Sequence, residues 1–136
     1  LEKEDIEALK NGSKNLLKHI ENLKEKFGVN VVVAINKFNQ DTENEIETLR
    51  KILEKENVEL SLVESWSKGG EGAIDISNKI IEVAEKETEF EYMYSLKETI
   101  VEKINNVAMR IYGAKGVIYP EDVTKKIEKI EEYKYI

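Results

Sequence analysis

Val29-Asn30-Val31-Val32-Val33-Ala34-Ile35-Asn36-Lys37-Phe38 is the stretch that decides the fold. Residues 31–35 are apolar without alternation, which predicts a strand buried on both faces of a largely parallel sheet. Ligands of such sheets sit beyond the carboxyl ends of the strands, where Asn36, Lys37 and Phe38 fall. Further along, residues 58–63 predict a second short strand that runs into Glu64-Ser65-Trp66-Ser67-Lys68-Gly69-Gly70-Glu71-Gly72. Two strand-end loops therefore reach one sheet edge. Phe38 and Trp66 are candidates to face a single crevice there, each offering an aromatic plane.

The helices around these strands are legible from period and punctuation. Leu16, Leu17, Ile20, Leu23 and Phe27 recur at helical spacing, with a turn signal at Asn11-Gly12-Ser13 before them and Gly28 after. Thr42 and Glu45 form a capping box ahead of Ile46, Leu49, Ile52 and Leu53, and Asn57 stops that helix. From Gly72 onward, Ile74, Ile76, Ile80, Ile81, Val83 and Ala84 predict a helix apolar over a broad arc. Strand, crossover helix, strand and helix in this order favour a parallel α/β sheet. Residues 88–94 alternate aromatic and acidic side chains over too short a span to choose between edge strand and linker. Ser95 with Glu98 reads as a second capping box before Ile100, Ile104, Val107, Ala108 and Ile111, closed by Gly113. Pro120 opens a last helix carrying Val123, Ile127 and Ile130. The expected organisation is an α/β part over residues 1–88 and a helical appendix over 89–136.

Composition removes many chemistries. The 136 residues contain no cysteine and a single histidine, His19. A thiolate zinc site, a disulfide framework, a cysteine nucleophile and any serine–histidine relay lacking His19 are excluded. A chain of this length buries roughly two thirds of its extended surface, so it needs no such staple. Lysine and arginine total 21 against 28 acidic residues, for a net charge of −7. The signs are interleaved along helices, which disfavours nucleic acid as a partner. No apolar run reaches membrane-spanning length, and residues 1–5 lack a signal peptide's order. A reducing cytoplasm is expected. The chain starts without methionine, which fits a piece of a longer protein.

Asn36-Lys37 at a strand end resembles the base-reading Asn-Lys-x-Asp element of P-loop nucleotide-binding domains. Asn39 stands where that element has its aspartate, so guanine specificity is disfavoured, while a purine between Asn36-Lys37 and Ser67-Lys68 stays geometrically reasonable. Taken together, residues 35–43 (Ile-Asn-Lys-Phe-Asn-Gln-Asp-Thr-Glu) and 64–72 (Glu-Ser-Trp-Ser-Lys-Gly-Gly-Glu-Gly) resemble formate–tetrahydrofolate ligase. Leu16-Leu17-Lys18-His19-Ile20-Glu21-Asn22 and Ile111-Tyr112-Gly113-Ala114-Lys115-Gly116-Val117 match that family in the same order.

The resemblance implies a P-loop NTPase-like fold and an ATP-dependent ligase. Formate would take the γ-phosphoryl group to give formyl phosphate, and N10 of tetrahydrofolate would attack the formyl carbon. It implies formate, tetrahydrofolate and ATP as substrates, Mg2+ and a monovalent cation as cofactors, and a homotetramer. Phe38 and Trp66 match the aromatic pair that sandwiches the pterin. Asn36, Lys37, Ser67, Lys68, Gly69 and Gly70 are expected on the nucleotide side or as loop scaffold. No catalytic residue and no metal ligand is assigned within these residues. Asn39 replaces a proline common in the family, which predicts a looser first loop. The family's glycine-rich phosphate loop and its lysine do not occur in this sequence, so the stretch alone is expected to be inactive.

Two other readings stand beside this one. The first is an adenine-nucleotide-binding P-loop-type domain unrelated to folate, and the second a non-catalytic interaction domain whose helices dock a partner. Gly69-Gly70-Glu71-Gly72 reads either as an anion-binding helix start or as a tight turn that lets a ring approach closely, with the turn favoured.

Overall fold

A computed structural model describes residues 3–133; the chain ends, at 1–2 and 134–136, lie outside the described residues. The chain divides into two compact units, Leu1–Glu89 and Phe90–Ile136. In the first, α1 (Ile6–Glu21) passes through a π-helical turn (Asn22–Lys26) into β1 (Val32–Asn36), α2 (Glu43–Glu54) and β2 (Glu59–Val63). A short α3 (Ser65–Lys68) and a 3-10 turn (Gly69–Ala73) then lead into α4 (Ile74–Ala84). β1 and β2 pair in parallel with Val32 opposite Glu59 and Asn36 opposite Val63. Both strands therefore end at the same edge, as parallel pairing across a crossover helix requires.

One face of this sheet carries the core. Ile20, Leu53, Val58 and Leu60 form its centre, with Leu16, Leu17, Val31, Val33, Ile35, Leu49 and Leu62 packed around them. These residues join α1 and α2 to the face on which alternate residues of β1 lie. The opposite face departs from the expected two-sided burial, because Ala34 and Asn36 are exposed. α4 packs mainly on β2, so the β1 side of that face opens into a groove lined by Val32, Ala34, Ile76, Ile80 and Val83. Ser61 in mid-β2 is buried, and its hydroxyl donates to Asp75 Oδ2 at 2.5 Å. Lys79 Nζ bonds both Asp75 Oδ2 at 2.8 Å and the Leu60 carbonyl at 3.0 Å, fastening α4 to the strand.

Helix limits follow their caps. The turn expected at Asn11-Gly12-Ser13 lies inside α1 instead, which starts where Asp5 accepts from the Ala8 amide at 2.9 Å. Ser13 is accommodated because its hydroxyl donates to the Leu9 carbonyl one turn back, at 2.7 Å. Gly28 ends the segment in the left-handed region at φ 65°, and Val29 N reaches back to the Leu23 carbonyl at 3.1 Å. α2 has the expected Thr42–Glu45 capping box, and Asn57 terminates its exit turn at φ 52°.

The second unit is helical. Residues 88–94 form neither strand nor helix; Phe90 and Tyr92 meet edge to face with ring centroids 5.0 Å apart. α5 (Ile100–Arg110) is capped by Thr99 and Glu102, not by Ser95 and Glu98. Ser95 instead accepts from the Lys97 amide in a local turn, and Glu98 accepts from Asn106 Nδ2 at 2.7 Å. Gly113 follows α5 at φ 66°. α6 (Glu121–Glu132) begins directly after Pro120 and buries Ile127. Among the described residues no helix is long and apolar enough to cross a membrane.

Candidate functional site

The carboxyl ends of β1 and β2 are linked by main-chain and side-chain bonds. Lys37 N donates to the Val63 carbonyl at 3.0 Å, extending the ladder one residue past β1. The Lys37 carbonyl in turn accepts from Trp66 Nε1 at 3.1 Å. Phe38 leaves the strand in a turn closed by Asp41, whose Oδ2 accepts from Phe38 N at 2.8 Å while Asp41 N donates to the Phe38 carbonyl at 3.1 Å. This β-turn, in which Asp41 bonds back to Phe38 through both its side chain and its main chain, spans Asn39 and Gln40.

On the β2 side, the Glu64 carbonyl accepts from Ser67 N, Lys68 N and Ser67 Oγ at 3.0, 2.9 and 3.1 Å. That convergence winds α3 and lifts Trp66 onto its outer side. Phe38 and Trp66 are 59% and 61% exposed, so neither belongs to the core. Both line one cleft of about 440 Å³ together with Lys37, Asn39, Asp41, Glu43, Glu64 and Ser67.

The cleft is acidic. Its lining holds three carboxylates, from Asp41, Glu43 and Glu64, against the single ammonium of Lys37. Lys37 Nζ sits 2.6 Å from Glu43 Oε1, and this hydrogen bond, helped by the charges of Glu43, Glu64 and Asp41, raises its pKa above the ordinary lysine value. Glu64 is held below the usual carboxylate range, chiefly by its hydrogen bond with Lys68 and then by the charges of Lys68 and Lys37. The ammonium of Lys37 is thus already engaged.

The structure brings Lys37, Phe38, Trp66 and Ser67 around one cleft, and leaves Asn36, Lys68, Gly69 and Gly70 outside its lining. Asn36 ends β1 opposite Val63. Lys68 turns back to Glu64. Gly69 adopts φ 59°, whereas Gly70 faces open space. The sequence reading missed the carboxylates of Asp41, Glu43 and Glu64, which are indistinguishable in sequence from the solvated acidic residues elsewhere. Among the described residues, no group of three or more histidine or acidic side chains is placed to hold a metal ion.

Two parallel strands joined by a crossover helix, with both carboxyl-end loops contributing to one crevice, define an α/β protein whose candidate site lies where such sheets hold ligands. The family model for formate–tetrahydrofolate ligase matches residues 1–136, the whole chain, and the protein belongs to that family. Membership makes it part of a ligase of one-carbon metabolism and implies formate, tetrahydrofolate and ATP as substrates.

Proposed function

We propose that this protein supplies the pterin-stacking wall of a formate–tetrahydrofolate ligase, with Phe38 and Trp66 holding the ring between their faces. The observation that carries this reading is that two solvent-exposed aromatic side chains from different loops line the same strand-end cleft. A flat heteroaromatic ring placed there gains dispersion and burial of about 1–3 kcal/mol per stacked face, by analogy with base stacking. The carboxylates of Asp41, Glu43 and Glu64 suit the N–H donors around a pterin's edge. They are a poor setting for a polyphosphate, whose negative charge they would repel.

In the proposed reaction a formate oxygen attacks the γ-phosphorus of ATP, releasing ADP and giving formyl phosphate. N10 of tetrahydrofolate then attacks the formyl carbon, losing its proton as phosphate departs, to yield 10-formyltetrahydrofolate. The protein's own part is orientation: stacking fixes the pterin and so limits where N10 can swing. Phosphate binding in a P-loop-type fold is assigned to residues other than these, because the cleft offers no free cation. Mg2+ and a monovalent cation belong to the proposal as the family's ions, and among the described residues no cluster of three or more histidine or acidic side chains is placed to hold a metal ion. A cytoplasmic homotetramer completes the proposal; the absence of cysteine suits a reducing compartment.

Trp66 is the only tryptophan, so its indole N–H gives one proton resonance. Saturable movement of that signal on adding tetrahydrofolate is the expected result, and an unmoved signal across the titration sinks the reading.

A further inference from the structure

The connection from Glu64 to Gly72 closes on itself. Glu64 N donates to the Gly72 carbonyl at 3.1 Å. A Cβ added at Gly72 would stand 2.5 Å from the Glu64 carbonyl carbon, 2.7 Å from its oxygen and 2.8 Å from Ser65 N. All three are main-chain atoms at the end of β2, so none can rotate aside as a side chain would. The other two glycines of the run differ. Gly69 needs only its positive φ, and a Cβ at Gly70 would meet nothing within 4 Å.

The closed stretch itself adds nothing to the core. Neither α3 nor the 3-10 turn after it contains a buried residue. What it fixes is the path of Ser65, and through Ser65 the next residue, Trp66, whose indole then reaches the Lys37 carbonyl at 3.1 Å. We propose that Gly72 is a positioning residue for the pterin site: its missing side chain lets the loop close, and the closed loop holds Trp66 in the cleft. Its value to the ligase rests on the pterin reading above, whereas its hold on Trp66 does not.

The test compares the full chain with Gly72→Ala, using Gly12→Ala as a control because a Cβ there also meets nothing within 4 Å. Time-resolved fluorescence anisotropy of the single tryptophan reads the loop directly. With the far-UV circular dichroism preserved, Gly72→Ala is expected to raise the amplitude of nanosecond indole motion about twofold. Tetrahydrofolate affinity should fall about tenfold to a hundredfold, as misplacement of a positioning group does. Gly12→Ala should change neither quantity. Unchanged indole motion in a folded Gly72→Ala overturns the proposal.

If Gly72→Ala does not fold, amide exchange in the parent protein decides. The Glu64 amide is expected to exchange about tenfold or more slowly than that of Gly70, and equal rates overturn the proposal. If Gly72→Ala loosens the indole while Trp66→Ala binds tetrahydrofolate like the parent, the pterin reading and the role assigned to Gly72 in the site both fall.

Discussion

The Trp66 indole donates its N–H to the main-chain carbonyl of Lys37 at 3.1 Å, and this bond joins the loop after β2 to the loop after β1. It orients an exposed ring that no core packing holds. Trp66→Phe keeps an aromatic plane and removes the donor, so its cost is the net worth of one hydrogen bond, about 0.5–1.5 kcal/mol. Tetrahydrofolate affinity should then fall about two- to tenfold by calorimetry, less than in Trp66→Ala, which also loses the stacked face. Equal losses in the two variants would mean that the bond, and not the ring, governs binding.

Leu53 is fully buried at the centre of the cluster that joins α1 and α2 to the sheet. Leu53→Ala should destabilise the protein by about 2–5 kcal/mol, read as a lower urea midpoint. Leu96, 80% exposed, provides the contrast, and Leu96→Ala should stay within about 0.5 kcal/mol of the parent.

Two capping boxes set helix starts in separate units, Thr42 with Glu45 and Thr99 with Glu102. Thr99→Ala should cost about 1 kcal/mol, whereas Ser95→Ala, four residues earlier, should cost little because Ser95 only braces a local turn. The reverse ranking in thermal unfolding would put the helix start at Ser95.

Asp75 lies below its ordinary pKa of 3.8, chiefly through its hydrogen bond from Lys79 and next through that from Ser61. Because the folded value is depressed, the stability it contributes is fully present above the unfolded value. It is lost as pH falls through 3.8 toward the folded value. The stability gap between the parent and Asp75→Asn should therefore be constant near neutrality and shrink below about pH 4, measured by urea unfolding at stepped pH. A gap that widens on acidification contradicts the network.

The parts of this structure legible in sequence are those set by local chemistry. The apolar run at 31–35 indicated a strand, and Trp66 before a glycine run marked a strand-end loop. The same apolar run wrongly suggested that β1 is covered on both faces, because whether Ala34 is covered depends on how far α4 reaches across the sheet. Ser95-x-x-Glu98 and Thr99-x-x-Glu102 both satisfy the capping pattern, and only the second directly precedes the apolar stripe beginning at Ile100. The demand for glycine at position 72 comes from a close approach to the Glu64 and Ser65 backbone. Such an approach leaves no trace in composition or period.

Anaerobic calorimetric titration of the protein with tetrahydrofolate, run beside folded Phe38→Ala and Trp66→Ala, tests the central claim most directly. Saturable binding by the parent, weakened by about 1–3 kcal/mol in each variant, is the predicted result. Binding of equal strength in all three would contradict the pterin wall.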